Sequence, residues 1–118
     1  MKIVLVMLEN IQSYIIDNIE CLLKHNNNDI TVITNEKYTN LFDNYSQVEI
    51  IIVENIIDSY KNDIKNKNKQ FRNGFWFYTS YRFISIYEYM KKYKITDIIH
   101  IENDVLVFKD MDTIDFHN

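Results

Sequence analysis

Glu102 and Asp104 stand two residues apart in Ile101-Glu102-Asn103-Asp104-Val105, with apolar runs on either side at residues 97–101 and 105–108. On an extended backbone, residues i and i+2 project to the same side. Two carboxylates sharing one space repel unless a proton or a cation joins them. A hard divalent cation, Mn2+ or Mg2+, takes oxygen ligands and typically keeps one or two carboxylates together with waters and phosphates. The pair therefore points to a metal–diphosphate site with Glu102 and Asp104 as ligands. Asn-Asp is also a common turn pair, so the triplet reads equally as a polar turn between two strands of a hairpin.

Something must hold that triplet in place. Residues 2–7 form a continuous apolar run of the kind found in a strand buried on both faces. Asn10 can cap the helix that follows. That helix carries apolar residues at Ile11, Tyr14, Ile15, Ile16, Ile19, Leu22 and Leu23, and it ends at His25 and the Asn run 26–28. Strands are expected at residues 30–34 and 48–53, with one or two helical turns between them. Residues 61–70 read as an exposed loop and the aromatic segment 71–93 as a long helix. A fourth strand is expected at 97–101, and a fifth, or a continuation, at 105–108. Alternating fully apolar strands and helices mean an α/β sandwich with a mainly parallel sheet, in one domain spanning residues 1–118. Such sheets bind ligands beyond the C-terminal ends of their strands. Four places qualify, each with a polar or acidic residue: 8–10, 34–36, 54–55 and 102–104.

Together these features resemble nucleotide-sugar glycosyltransferases of the GT-A fold. The segment "IIHIENDVLVF" matches their hydrophobic–DxD–hydrophobic strand end, with Glu102 at the first acidic position and Asp104 at the second. The arginine-bearing helix "FWFYTSYRFISIYEYM" precedes it, and the opening "MKIVLVMLEN" resembles the family's nucleotide-binding half. The resemblance covers most of the chain as an order of elements, and residues 95–108 at the level of a motif. It implies a three-layer Rossmann-like sandwich that binds a nucleotide-sugar donor through Mn2+ or Mg2+ and transfers the sugar to an acceptor it does not identify. Asp104 would bind the metal. Glu102 would contact the metal-bound water or the ribose, Arg82 the phosphate or sugar, and Glu9, Asn10, Thr34 and Asn35 would surround the base and ribose. Glu102 departs from the usual aspartate by one methylene. The family's catalytic base and acceptor site lie in a second half, and this chain ends ten residues after Phe108. The resemblance thus implies a donor-binding half with no assigned catalytic residue.

Composition narrows the alternatives. A formal net charge of −4 and a pI near 5.3 argue against a duplex nucleic-acid binder, which needs a basic face. One cysteine, Cys21, leaves no intramolecular disulfide and no cysteine-based zinc site. The apolar N-terminal run is too short for a membrane span and lacks a signal-peptide cleavage site, so a cytoplasmic protein is expected. No P-loop or G-x-G-x-x-G occurs. Gly74 suits a positive-φ turn, Arg72 a solvated site, and His117 a weak candidate ligand. His100 reads as a satisfied core histidine and Cys21 as buried and inert. Asp58, Asp63, Asp110, Asp112 and Asp115 read as solvated surface. The Asn-rich runs reflect compositional bias. The aromatic helix supplies core on one stripe; its outward residues suit a homo-oligomer or a missing C-terminal half. A non-catalytic interaction or receiver-like signalling module, with Glu54 after the third strand, is the competing reading.

Overall fold

The computed structural model describes residues 1–66 and 75–114. Phe71, Arg72, Gly74, Asp115 and His117 lie outside them. Four strands form one sheet: β1 (Lys2–Met7), β2 (Ile30–Thr34), β3 (Glu49–Ile52) and β4 (Ile98–His100), in the order β3-β2-β1-β4. Every pairing is parallel, with Met7 opposite Thr34, Thr34 opposite Ile52 and Ile3 opposite Ile99. The helices are α1 (Tyr14–Lys24), α2 (Val53–Ile56), α3 (Tyr60–Lys65) and α4 (Phe75–Tyr93), with a 3-10 stretch at Glu36–Phe42.

The alternation of side chains along β1 builds two cores. Ile3, Leu5 and Met7 pack with Ile15, Ile19 and Leu22 of α1. Val4 and Val6 pack with Val53, Ile57 and Tyr60 and with Tyr81, Ile86 and Tyr89 of α4. The chain is therefore a three-layer α/β sandwich, as expected, with α1 on one face of the sheet and α2, α3 and α4 on the other. Each fully buried Leu or Ile contributes roughly 1.5–3 kcal/mol of transfer free energy. Ile15, Ile19 and Leu22, at i, i+4 and i+7, form the apolar stripe that fixes the orientation of α1.

The strand order has a functional consequence. The chain steps from β1 outward to β3, then returns to place β4 on the other side of β1. β1 and β4 therefore flank the switch point, where open parallel sheets form a crevice. A receiver-like sheet would put β3 beside β1; here β3 pairs with β2.

Four local expectations are corrected. Residues 105–108 form no strand: β4 ends at His100, Ile101 N–H still donates to Val4 O at 3.2 Å, and the chain then turns. Residues 61–65 of the expected loop belong to α3, which starts at and is anchored by the buried Tyr60. Asn10 does not cap α1, which begins four residues later, at Tyr14 after Ser13. The Asn run is structural. Asn26 takes φ 67, and Asn26 and Asn27 donate to Leu23 O and Leu22 O, closing α1 with a Schellman motif.

Candidate functional site

A cleft of about 330 Å³ opens at the switch point. Val6 and Leu8 at the end of β1 form its apolar floor. Asn10, Gln12 and Tyr14 line it from the β1–α1 connection, and Tyr78, Thr79 and Arg82 from α4. Glu102, Asn103 and Asp104 close the β4 side.

The acidic triplet is a turn. Val105 N–H donates to Glu102 O at 3.1 Å, so the backbone is not extended through Asp104. That corrects the geometry by which the sequence brought the carboxylates together, since i and i+2 share a side only on an extended chain. Both residues nevertheless line the same cleft, and both are exposed. The turn is no hairpin, because residues 105–108 pair with no strand. Arg82 reaches Glu102 Oε1 from α4 at 3.4 Å, a single contact on a carboxylate that is 59% exposed. Such an ion pair contributes only about 0–1 kcal/mol. The Arg82 guanidinium also lies 5.2 Å from the Phe83 ring centroid.

Asn103, which the sequence treated as a spacer, is the buried member of the triplet. Its Nδ2 donates to Val6 O at 2.8 Å and to Gln12 Oε1. Among the described residues, four buried side-chain polar atoms have no hydrogen-bond partner: Asn18 Oδ1, Arg82 Nε, His100 Nε2 and Asn103 Oδ1. Arg82 and Asn103 line the cleft. Asn18 bonds the triplet's backbone, and His100 lies two residues before Glu102. Buried unpaired polar atoms are costly, and their concentration marks a place for ligand or solvent. His100 was expected to be satisfied, but only Nδ1 is, donating to Val4 O at 3.0 Å. Burial pushes the imidazole below its ordinary value and Arg82 adds to this, against the Val4 hydrogen bond.

The other expected donor residues are placed differently. Thr34 and Asn35 are fully buried. Thr34 Oγ1 donates to Met7 O at 2.7 Å. Asn35 accepts from Glu9 N–H through Oδ1 at 2.6 Å and donates to Glu9 Oε2 at 2.6 Å and Glu54 Oε2 at 3.2 Å. Tyr60 Oη donates to Glu9 Oε2 at 2.7 Å, and Lys37 Nζ reaches Glu9 Oε1 at 3.3 Å. Glu9 sits at φ 65, a left-handed conformation that costs a residue other than glycine roughly 1–3 kcal/mol. Its N–H bond to Asn35 and the bond from Tyr38 Oη to its carbonyl hold it there. Burial would raise the Glu9 carboxyl; donation from Tyr60, Lys37 and Asn35 outweighs it and holds the group below its usual range. Burial and donation to Glu9 push the Tyr60 hydroxyl far above its ordinary value. Of Glu9, Asn10, Thr34 and Asn35, only Asn10 lines the cleft.

The sequence reading missed Asn18, Gln12, Tyr14 and Asn103 as parts of this site. Asn18 carried a signal: it is an amide lying within the apolar stripe of α1. Among the described residues no helix is long and apolar enough to cross a membrane. Comparison of the chain with protein-family models, curated proteins and solved structures finds no match.

Proposed function

We propose that the cleft between β1 and β4 binds a nucleotide-sugar donor with a divalent cation, in the manner of the donor half of a GT-A glycosyltransferase, for transfer of the sugar to an acceptor. The observation that carries this reading is the convergence of Glu102 and Asp104 on one cleft at the switch point of a parallel sheet. The donor set fits a hard cation. Asp104 is exposed, and Glu102 holds only one weak ion pair. Two carboxylates leave the remaining positions to phosphate and water oxygens, the usual arrangement for Mg2+. When bound, such a cation supplies charge stabilisation to a departing nucleoside diphosphate.

The chain's own residues supply the rest. Arg82 offers a guanidinium suited to bidentate phosphate recognition once its contact to Glu102 is exchanged. Tyr14 and Tyr78, with Val6 and Leu8, give the cleft aromatic and apolar surface for the flat part of a ligand. Asn10 supplies an amide at the rim.

Isothermal titration with a panel of nucleoside diphosphates and sugar nucleotides, with and without Mn2+, tests the reading. Metal-dependent binding that Asp104→Ala weakens about 100-fold is expected. A folded protein that binds no member of the panel overturns it.

A further inference from the structure

The segment after β4 is held without strand pairing, by side chains of α1 and of the connection that follows it. Asn18 Nδ2 donates to Glu102 O at 3.2 Å and Asn103 O at 3.3 Å. Cys21 Sγ donates to Val107 O at 3.0 Å. Asn27 donates to Lys109 O at 2.8 Å and accepts from Met111 N–H at 2.7 Å. These residues recur along α1 and past its end, so residues 102–111 lie as a strap along the helix. The acidic turn is the strap's first part. It is hydrogen-bonded to the sheet through Asn103 to Val6 O, while Met111 at the strap's other end packs into the core beside Ile3 and Leu5.

Asn18 is fully buried and Asn103 is 7% exposed, yet each keeps an unpaired amide oxygen. An apolar residue at either position would avoid that penalty. The orientation of Asn103 follows from the Val6 carbonyl, which can only accept, so a flipped amide would set oxygen against oxygen there. Both amides donate to oxygens that hold the turn between the two carboxylates, Asn18 to the turn's own carbonyls and Asn103 from within the turn to β1 and Gln12.

We propose that Asn18 and Asn103 are positioning residues, a two-amide clamp that fixes the Glu102–Asp104 turn so that both carboxylates face the cleft in one arrangement. Its consequence for ligand rests on the donor reading above; its consequence for the turn does not. Neither amide needs to touch the ligand. Asn103 locks the turn to β1, Asn18 locks it to α1, and the separation of the carboxylates follows from where those two elements pack.

The test combines two readouts on Asn18→Leu, close in shape and suited to the apolar stripe of α1, and on Asn103→Ala. The first is hydrogen exchange of the Val105 amide without ligand, with the Leu5 amide as the measure of global stability. Val105 exchange at least tenfold faster is expected, with Leu5 protection retained. The second is Mn2+ affinity by electron paramagnetic resonance, in the wild-type and Asp104→Asn backgrounds. An affinity loss of about tenfold is expected in the first background, in the range seen for groups that orient ligands, and a much smaller one in the second, because the clamp acts by setting the separation of a carboxylate pair that Asp104→Asn breaks. Should Asn103→Ala fail to fold, Asn18→Leu decides. Unchanged Val105 exchange in a folded variant overturns the clamp, as does an equal affinity loss in both backgrounds. If the wild type binds no Mn2+, the cation reading falls, and Val105 exchange alone supports or overturns the clamp.

Discussion

The C-terminal edge of the sheet carries acids and amides at both ends, and the two ends treat them oppositely. Over β1, β2 and β3, Glu9, Asn35, Glu54 and Tyr60 satisfy one another within a few ångströms, and Asn35 alone makes four contacts. Over β1 and β4, the carboxylates of Glu102 and Asp104 face an open cleft, and the polar atoms behind them lack partners. The residue types are nearly the same. Burial and the number of partners differ, and those decide whether a carboxylate stabilises the fold or stays available to a ligand.

The sharpest separation of the two ends comes from paired substitutions. Asp104→Ala is expected to weaken donor binding about 100-fold, equivalent to about 2.8 kcal/mol at 1.4 kcal/mol per decade. Its thermal midpoint should stay near wild type, as for an exposed side chain. Calorimetry of both quantities on one sample tests this; a midpoint falling with the affinity would merge the two ends into a single structural network.

The mirror image is Glu9→Ala. It leaves Asn35, Tyr60 and Lys37 without their shared acceptor, and should cost roughly 1–3 kcal/mol of stability. Cleft binding should change by less than about twofold, because Glu9 does not line it. Urea denaturation gives the first number and ligand titration the second.

Tyr60→Phe removes one donor to Glu9 and keeps the ring, so a loss of about 1 kcal/mol is expected. A loss above about 3 kcal/mol would mean that the hydroxyl organises the whole network.

The smallest effect is in the pH dependence. The folded Glu9 carboxyl lies below its reference of 4.5. Its contribution to stability is therefore fully present above that reference and lost as pH falls through the depressed folded value. Glu9→Gln should flatten the acid limb of the stability curve. His100 acts at higher pH. Its folded imidazole lies below the reference of 6.5, so above that value its ionisation contributes no pH dependence. Stability falls as pH drops from 6.5 toward the depressed folded value, because only the unfolded chain takes the proton. His100→Gln should remove that slope; denaturation midpoints at a series of pH values resolve both.

Much of the fold was legible because it rests on short-range pattern. Residues 2–7 and 30–34 are uninterrupted apolar runs and became β1 and β2 at those bounds. The helical spacing of Ile15, Ile19 and Leu22 exposed the buried stripe of α1. The strand-end rule found the cleft through Glu102, Asp104 and Asn10, yet nominated Thr34 and Asn35 with equal force. Their burial depends on the 3-10 stretch at Glu36–Phe42 and on α3 folding over β2 and β3, which local pattern does not encode. Residues 105–108 misled for a related reason. Val105, Leu106, Val107 and Phe108 suit a strand locally, but their segment lies along α1, with Cys21, rather than a neighbouring strand, bonding the Val107 carbonyl. Asp63 also left its expected solvated role: it accepts from Tyr81 Oη at 2.8 Å and joins α3 to α4.

The apolar runs at residues 2–7 and 30–34 were enough to specify strands, the spacing of Ile15, Ile19 and Leu22 a helix covering them, and the strand-end positions a gathering of acids. These follow from side-chain periodicity and from burial of apolar surface, which local spacing fully expresses. Which of those acids stay open depends on long-range packing. The partners that quench Glu9 come from residues 35, 37 and 60, and those that hold the Glu102–Asp104 turn come from residues 6, 12 and 18. A hydrogen bond depends on atoms meeting in space, and the order of strands around β1 brought Asn35 and Tyr60 to one carboxylate and an open cleft to the others.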